Sequence, residues 1–334
     1  MSTPVRIAIN GFGRIGRNLF RLLIDHPQIE VKAINDLADS KTLKHLLKYD
    51  SIHGVLPYEV CHDENHIIVE NNPVILTKHR DPEHCDWKKL NIDIVIEATG
   101  KFKTRTLAEK HLKAGAKKVI LSAPPLDEHI KTIVLGVNDH CINGSEDILS
   151  NASCTTNNAA PMIKVVNDLC GIEQAYITTI HSYTTDQSLH DQPHRDLRRA
   201  RAAGQSIVPT TTGAAKALTK IFPKLSNVIG GCGIRVPVPD GSLTDITFNV
   251  KKETSIQEIN QAFQHASNTY LKGILDYTED PIVSIDIIGN SHSCVFDSLM
   301  TSVIGKMVKI IGWYDNEIGY SHRIIDLIIN ICKK

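Results

Sequence analysis

The stretch S-N-A-S-C-T-T-N-N, Ser150 to Asn158, sets one cysteine among small polar residues. The apolar positions after it, Ala159, Met162, Ile163, Val165, Val166 and Leu169, have helical spacing, so Cys154 falls at a helix start. Ser150 or Ser153 would cap that helix, and Thr155 and Thr156 suit its first turn. A helix N-terminus lowers a thiol's pKa, and the thiolate is the nucleophile. A free cysteine is more often a small buried hydrophobe. Cys170, Cys232 and Cys332, in apolar surroundings, are read that way. The polar setting of Cys154 favours a nucleophile instead. Such a nucleophile needs a base. Among 16 histidines, His181 stands out because it closes the β-rich run A-Y-I-T-T-I-H and opens the polar S-Y-T-T-D-Q.

Groups suited to anions follow. H-R-D-L-R-R-A-R carries Arg195, Arg198, Arg199 and Arg201. This cluster can be a nucleic-acid patch, a solvated helix face or a phosphate clamp, since guanidinium forks match phosphate oxygens. T-T-T-G-A-A-K, Thr210 to Lys216, begins a helix with hydroxyls and a glycine, a pattern that suits an anion at a helix N-terminus. Arg235, closing a strand in G-I-R-V-P, is a further candidate.

The elements that must hold these groups form two sets. In the first half, the strand Val5 to Asn10 runs into G-F-G-R-I-G, with glycines at 11, 13 and 16. A helix with Leu19, Phe20, Leu22 and Leu23 follows, then a strand Val31 to Asn35 and Asp36, 20 residues after Gly16. Strand, G-x-G-x-x-G, helix, strand and acid in this order form the dinucleotide fingerprint. Gly11 would allow the tight turn, Gly13 close approach of the pyrophosphate, and Gly16 close packing of helix on strand. Asp36 would accept from the ribose hydroxyls and repel a 2′-phosphate, favouring NAD over NADP. Further strands are expected at Ile92 to Ala98, Val119 to Ser122 and Ile133 to Val137, with a helix from Leu107 to Ala114. The alternation predicts a Rossmann-type doubly wound parallel sheet, with Thr99 and Ser122 at strand C-terminal ends. A thiol, a base and phosphate-binding groups behind a dinucleotide domain point to oxidation of a phosphorylated aldehyde.

The second half, from about Ser150, alternates differently. Strands are expected at Ile177 to His181, Val228 to Val236, Leu243 to Val250 and Val308 to Tyr314, with a helix from about Ile256 to Leu271. This predicts an α+β domain with a mostly antiparallel sheet and helices on one face. The last helix, Asn316 to Ile331, is apolar at Ile324, Leu327, Ile328 and Ile331. The division expected is 1–150 plus 316–334 for the nucleotide domain and 151–315 for the catalytic one.

The 334 residues fit about two domains, and the 37 basic and 37 acidic residues balance. That balance gives no global case for nucleic-acid or anionic-membrane binding. No C-x-x-C pair occurs among the eight cysteines, which argues against a zinc or thioredoxin motif, and no metal is expected. Scattered cysteines, no signal-peptide pattern and no 18-residue apolar run lead us to expect a cytoplasmic protein.

With these blocks in order, the chain resembles the phosphorylating glyceraldehyde-3-phosphate dehydrogenases. N-G-F-G-R-I-G-R, S-N-A-S-C-T-T-N, H-S-Y-T-T-D-Q, T-T-T-G-A-A-K and W-Y-D-N-E-I-G-Y-S carry the resemblance, which runs from about Val5 to the C-terminal helix. It implies that Cys154 forms a thiohemiacetal with glyceraldehyde 3-phosphate, with His181 as base. Inorganic phosphate would then release an acyl phosphate from the thioester. It further implies that Thr184 and Arg235, with Asp186 beside them, hold the substrate's phosphate. Ser153, Thr155, Thr212 and Gly213 would hold the attacking phosphate, and Arg198 is favoured as the arginine joining them. Arg14 and Ile15 would meet NAD through their backbone. Asp36, Arg80, Ser122 and Asn316 would make further cofactor contacts, with Asn316 at the nicotinamide amide. The loop from Tyr183 to about Val208 would serve a homotetramer interface, and the last helix would return to the nucleotide domain.

Some positions depart from the family pattern. Asn158 stands where many members carry a second cysteine, so peroxide is expected to take Cys154 to sulfenic acid or a mixed disulfide. Gln192-Pro193 replaces the Leu-Pro frequent in NAD-preferring bacterial members, and Asp240-Gly241-Ser242 stands where Asn-Val-Ser is common. Three other readings fit fewer of these residues. Erythrose-4-phosphate dehydrogenase usually lacks T-G-A-A-K and the threonine at the position of Thr184, both present here. A redox-sensing NAD-binding protein would not need the full phosphate set. A Cys/His hydrolase would not need Asp36 or Asn316.

Overall fold

The computed structural model describes residues 4–333, which fall into two compact units. One gathers the described residues up to Ile133, the segment His140–Ala152 and the chain from Ser321 on. The other comprises Val134–Asp139 and Ser153–Tyr320. The division therefore differs from the sequence expectation in two places. The short segment 134–139 joins the second unit, and the last helix, Ile318–Cys332, is crossed by the boundary after its first turn.

The first unit is built on a nine-stranded sheet. Its order is Lys131–Thr132, Ile148–Ser150, Lys118–Leu121, Ile94–Glu97, Val5–Asn10, Ile29–Asn35, Asn72–Thr77, His66–Val69 and Val60–His62. The first seven strands in that order are parallel to their neighbours, and the last two turn antiparallel. Strand Val5–Asn10 lies at the centre, between Ile29–Asn35 and Ile94–Glu97, where the chain order reverses. Doubly wound sheets bind ligands at the carboxyl ends of strands at such a point. Ile7, Ala8 and Ile9 are fully buried, as a central parallel strand covered on both faces requires.

A polar ladder ties the carboxyl ends together. Asn10 Nδ2 donates to Glu97 Oε2, Asn35 Nδ2 to Asn10 Oδ1 at 2.7 Å, and Thr77 Oγ1 to Asn35 Oδ1 at 2.9 Å. Glu97 is only 2% exposed, yet its carboxylate also accepts from Thr99 N and faces His111 Nε2 at 3.1 Å. These bonds offset the cost of burying polar groups and fix four strand ends relative to one another.

One expected strand is corrected. Ile133 to Val137 is not a strand; the strand there is Lys131–Thr132, and the chain then turns. Gly136 takes φ +76°, Asn138 Oδ1 accepts from Val134 N, and Asp139 Oδ1 accepts from Gly136 N. Local side-chain bonds to the backbone thus displace the ladder that the apolar run alone predicts.

The second unit holds an eight-stranded sheet. Its path runs Val208–Thr210, Ile229–Val236, Ile172–Ser182, Ser242–Val250, Met307–Tyr314, Cys294–Asp297 and Leu275–Thr278, with Ser302–Ile304 also paired to Met307–Tyr314. Most pairings are antiparallel, but Ile172–Ser182 runs parallel to Ile229–Val236, and Leu275–Thr278 parallel to Cys294–Asp297. The helix Cys154–Cys170 packs against four of these strands and against the helices Ala214–Ile221 and Ile256–Asn268. Ala159, Ala160, Met162, Ile163 and Val166 fill that contact and are wholly buried.

Candidate active site

The position of Cys154, the expected nucleophile, follows from a local turn. Ala152 adopts φ +57°, rare for a residue with a Cβ, and directs the chain into the helix Cys154–Cys170. Ser153 is the N-cap: its Oγ accepts from Thr156 N at 3.1 Å. Ser150, the other expected cap, instead donates to Ala123 O and accepts from Ala152 N. Cys154 is therefore the first helical residue, partly exposed, as the polar run predicts.

His181 and Arg235 are brought together by register. They are direct partners on the parallel strands Ile172–Ser182 and Ile229–Val236. His181 is 4% exposed, and its Nε2 lies 3.4 Å from Cys154 Sγ. Its Nδ1 lies 2.8 Å from Ser182 O and 2.6 Å from Arg235 Nη1, which itself donates to Ser182 O at 2.8 Å. Burial first, and the Arg235 charge second, push the imidazole down to about 3. It is neutral at physiological pH and has a lone pair to offer as a base.

The thiol departs from the sequence expectation. Burial pushes Cys154 above its ordinary value, although Arg235, the Thr155 backbone N–H and hydroxyl, and the Cys154 N–H all pull the other way. The helix start does favour the thiolate, but desolvation outweighs it. Beside the sulfur, the neutral imidazole can take the thiol's proton.

The remaining expected groups fall into two sets. Thr155 Oγ1 bonds to Tyr314 Oη at 3.0 Å beside the sulfur. Thr184 Oγ1 and N both donate to Gln187 Oε1, which folds the start of the loop after His181. Asp186 pairs with Arg199, and Arg199 Nη2 reaches Thr211 O at 3.4 Å, next to Thr212 and Gly213. Thr212 Oγ1 accepts from Ala214 N, and Gly213 opens the helix Ala214–Ile221 without a side-chain cap. Arg198, favoured from the sequence, has an exposed side chain; its backbone N donates to Asp196 Oδ1 and its carbonyl accepts from Arg201 N. The neighbouring Arg199 is the arginine whose charge is felt at both His181 and Arg235. A one-residue offset in an R-R pair turns the side chain to the opposite side, which sequence alone does not resolve. Asn316 is 6% exposed, and its Oδ1 accepts from Ser182 Oγ at 2.8 Å and Ser242 Oγ at 2.7 Å, which fixes the amide's orientation.

Sequence reasoning did not single out Tyr314 or Thr179. Tyr314 is 1% exposed and stands edge-on to His181, ring centroids 5.9 Å apart at 82°. Its Oη lies 2.9 Å from Thr179 Oγ1. The available signal for Thr179 was its place two residues before His181, hence on the same strand face.

In the first unit, the glycine turn has the form a dinucleotide requires. Gly11 takes φ +96°, and a Cβ on Gly16 would meet Gly11 O at 2.2 Å. Gly13 has open space where its Cβ would stand, and the helix Arg14–Leu23 begins there without a side-chain cap. A helix start without a side-chain cap is an arrangement that suits a phosphate. The Arg14 side chain is committed to Asp50. Asp36 Oδ2 accepts from Phe12 N at 2.7 Å, and its Oδ1 from Ala38 N at 3.0 Å, which places the acid beside the glycine turn. Ser122 follows the strand Lys118–Leu121, and Arg80 is exposed beyond Asn72–Thr77. These residues fit NAD.

Comparison with known proteins agrees with both units. Residues 5–105 match the family model described as glyceraldehyde 3-phosphate dehydrogenase, NAD binding domain. Residues 153–316 match that of the C-terminal domain of the same enzyme. The chain belongs to the glyceraldehyde-3-phosphate dehydrogenase family. It is 52% identical over 332 residues to the glyceraldehyde-3-phosphate dehydrogenase of Geobacillus stearothermophilus, covering 99% of each chain. Identity to glyceraldehyde-3-phosphate dehydrogenase 1 of Bacillus subtilis is 50% over 332 residues, again 99% of each. The Mycobacterium avium enzyme is 51% identical over 336 residues, 98% of this chain and 99% of the other. Members of this family use NAD through the first of the two matched domains, and NAD is the cofactor here.

Proposed function

We propose that the protein catalyses the phosphorylating oxidation of glyceraldehyde 3-phosphate to 1,3-bisphosphoglycerate. The observation that carries this reading is the approach of Cys154 Sγ to His181 Nε2, 3.4 Å, with Arg235 in register against the same imidazole. The sulfur attacks the aldehyde carbon, and its proton passes by way of His181 Nε2 to the aldehyde oxygen, which gives the thiohemiacetal and leaves Nε2 able to act again. Arg235, with Thr184, binds the substrate's phosphate and so sets the aldehyde at the sulfur. His181 next takes the hydroxyl proton of the thiohemiacetal as its carbon is oxidised to the thioester. NAD, when bound, supplies the hydride acceptor. The Cys154 N–H at the helix start and the side chains nearby stabilise the oxyanion. Inorganic phosphate, held by Thr155, Thr212, Gly213 and Arg199, attacks the thioester carbonyl, and the Cys154 sulfur leaves. Asn316, its carboxamide held by Ser182 and Ser242, would orient the nicotinamide amide of bound NAD.

Two further parts of the reading concern the chain's surroundings. In the 183–208 loop, Leu189 is 73% and Leu197 82% exposed, and Ile207 is 70%; such exposed apolar groups support pairing with further copies in a homotetramer. None of the described helices is long and apolar enough to cross a membrane, and the cysteines are free, which supports a cytoplasmic location.

The test is NAD reduction by the purified protein with glyceraldehyde 3-phosphate, with and without inorganic phosphate. Fast, phosphate-dependent NADH formation that vanishes in Cys154→Ser is expected. Faster turnover of erythrose 4-phosphate, or thioester hydrolysis without phosphate, would overturn the assignment.

A further inference from the structure

Three element ends meet at one carboxamide. Ser182 closes the strand Ile172–Ser182, Ser242 opens Ser242–Val250, and Asn316 follows Met307–Tyr314. Ser182 Oγ donates to Asn316 Oδ1 at 2.8 Å, Ser242 Oγ donates to the same oxygen at 2.7 Å, and Ser182 N donates to Ser242 Oγ at 3.1 Å. The serines are at most 1% exposed and Asn316 is 6% exposed. The main chain around Asn316 is held as well. Asp315 Oδ1 accepts from Glu317 N at 2.8 Å and Ile318 N at 2.7 Å, and Asp315 Oδ2 from Gly289 N at 2.7 Å. A carboxamide has an oxygen on one side and an NH2 on the other, and the two orientations fill nearly the same space. The serines decide between them. Ser242 Oγ already accepts from Ser182 N, so its own proton needs an acceptor, and Ser182 Oγ has a proton to place too. With Oδ1 toward the serines, both protons are satisfied. With the carboxamide turned over, Nδ2 would face two buried hydroxyls whose protons have no other acceptor among the described residues, which is costly. Nδ2 is therefore the group left over. It makes no hydrogen bond within the described residues, yet it is not sealed from solvent.

We propose that Ser182 and Ser242 are positioning residues that lock the Asn316 carboxamide with its nitrogen free, so that the protein reads the carbonyl oxygen, and not the amino group, of the nicotinamide carboxamide. Nδ2 donates to that oxygen, and no reorganisation is needed because the serines have already set the orientation. Ser182 also ties this group to the base. Its carbonyl is the oxygen that His181 Nδ1 and Arg235 Nη1 each approach at 2.8 Å. One residue thus fixes both the imidazole beside Cys154 and the carboxamide that meets the cofactor. The proposal rests on the reading of Asn316 as the residue at the nicotinamide.

The test is calorimetric binding to the full chain, without substrate, of NAD and two analogues. The 3-acetylpyridine analogue has a methyl group in place of the amino group, and the thionicotinamide analogue has sulfur in place of the carbonyl oxygen. The wild type is expected to bind the acetylpyridine analogue within about twofold of NAD and the thio analogue about fivefold more weakly, since sulfur is the poorer acceptor. Ser182→Ala/Ser242→Ala frees the carboxamide to present Oδ1, which accepts from the amino group. The acetylpyridine analogue should then fall about fivefold behind NAD, and the thio analogue should come within about twofold of it. Ser182→Ala alone, which keeps Ser242, is expected to move both ratios in the same direction by less. Serines that only support the fold would lower all three affinities together and keep the wild-type ratios in the double variant, and that result would overturn the proposal. A wild type that discriminates against the acetylpyridine analogue would do the same. If the double variant fails to fold, wild-type ratios in Ser182→Ala decide against it. Asn316→Ala checks the underlying reading and should abolish the differences between the three ligands; if it keeps the wild-type ratios, Asn316 is not at the nicotinamide and the proposal falls with that reading. The expected ratios without NADH formation from glyceraldehyde 3-phosphate would instead sink the proposed activity and leave the positioning role standing.

Discussion

Arg235 and His181 reach for the same oxygen. Arg235 Nη1 and His181 Nδ1 each lie 2.8 Å from Ser182 O and 2.6 Å from one another. Nδ1 has a single hydrogen-bonding direction. With a proton it donates to Ser182 O and has nothing to offer the guanidinium; without one it accepts from Arg235 and leaves Ser182 O to the arginine alone. Only the first form leaves the Nε2 lone pair facing Cys154. An anion that draws the guanidinium aside favours that form, so the group expected to bind the substrate's phosphate also governs the base.

Removing the guanidinium should weaken the nucleophile. The Arg235 charge is the first of the influences that pull the Cys154 thiol down against burial. Arg235→Gln is expected to slow alkylation of Cys154 at pH 7 by roughly tenfold, corresponding to about one pH unit in the thiol. Alkylation at the wild-type rate would show that the charge does not act on the sulfur.

The buried imidazole makes stability depend on pH in a definite window. His181 titrates at about 3 in the fold and near 6.5 when exposed. Below 6.5 the unfolded chain takes up a proton that the folded one refuses. The stabilisation is therefore complete above about 6.5 and is lost as the pH falls toward about 3, at roughly 1.4 kcal/mol per pH unit. His181→Asn removes this contribution, so the difference in unfolding free energy between the two proteins should close across that window. Parallel stability curves would contradict it.

Asn158, four residues after Cys154, has a structural use. It is fully buried in the helix Cys154–Cys170, and its Nδ2 donates to Gly312 O and Trp313 O at 3.3 Å each. It pins the helix that begins at Cys154 to the strand Met307–Tyr314. Asn158→Ala is expected to cost about 1–3 kcal/mol in denaturant unfolding. Peroxide treatment of the wild type is expected to give a Cys154 adduct with a sulfenic-acid reagent, visible by mass spectrometry.

Gly16→Ala tests the fit of the cofactor turn. The added Cβ would stand 2.2 Å from Gly11 O and 3.2 Å from Ile9 Cγ2, and backbone cannot swing aside as a side chain can. A loss of about 1–3 kcal/mol or more is expected, with NAD affinity falling alongside it in calorimetry. Gly13→Ala, with open space at its Cβ, should fold as the wild type and lose only NAD affinity.

The sequence by itself determined most of the elements and the helix start at Cys154. G-F-G-R-I-G between a strand and a helix, with Asp36 after the next strand, specified the turn because only glycine tolerates that backbone and that contact. Ser153 and Cys154 were legible for a similar local reason, since caps and helix starts are set within four residues. Local pattern failed at Ile133 to Val137, where side-chain bonds in a turn overrode an apolar run. The nearness of the Arg199 charge to His181 and Arg235, the His181–Arg235 pair and the Tyr314 hydrogen bonds were decided only by tertiary structure. Residues 179, 181, 235 and 314 meet through strand register, which depends on how distant strands pack and leaves no mark at any one position. The same holds for the thiol itself: the chain order supplied a helix start that favours the thiolate, but burial by the rest of the fold set the opposite balance.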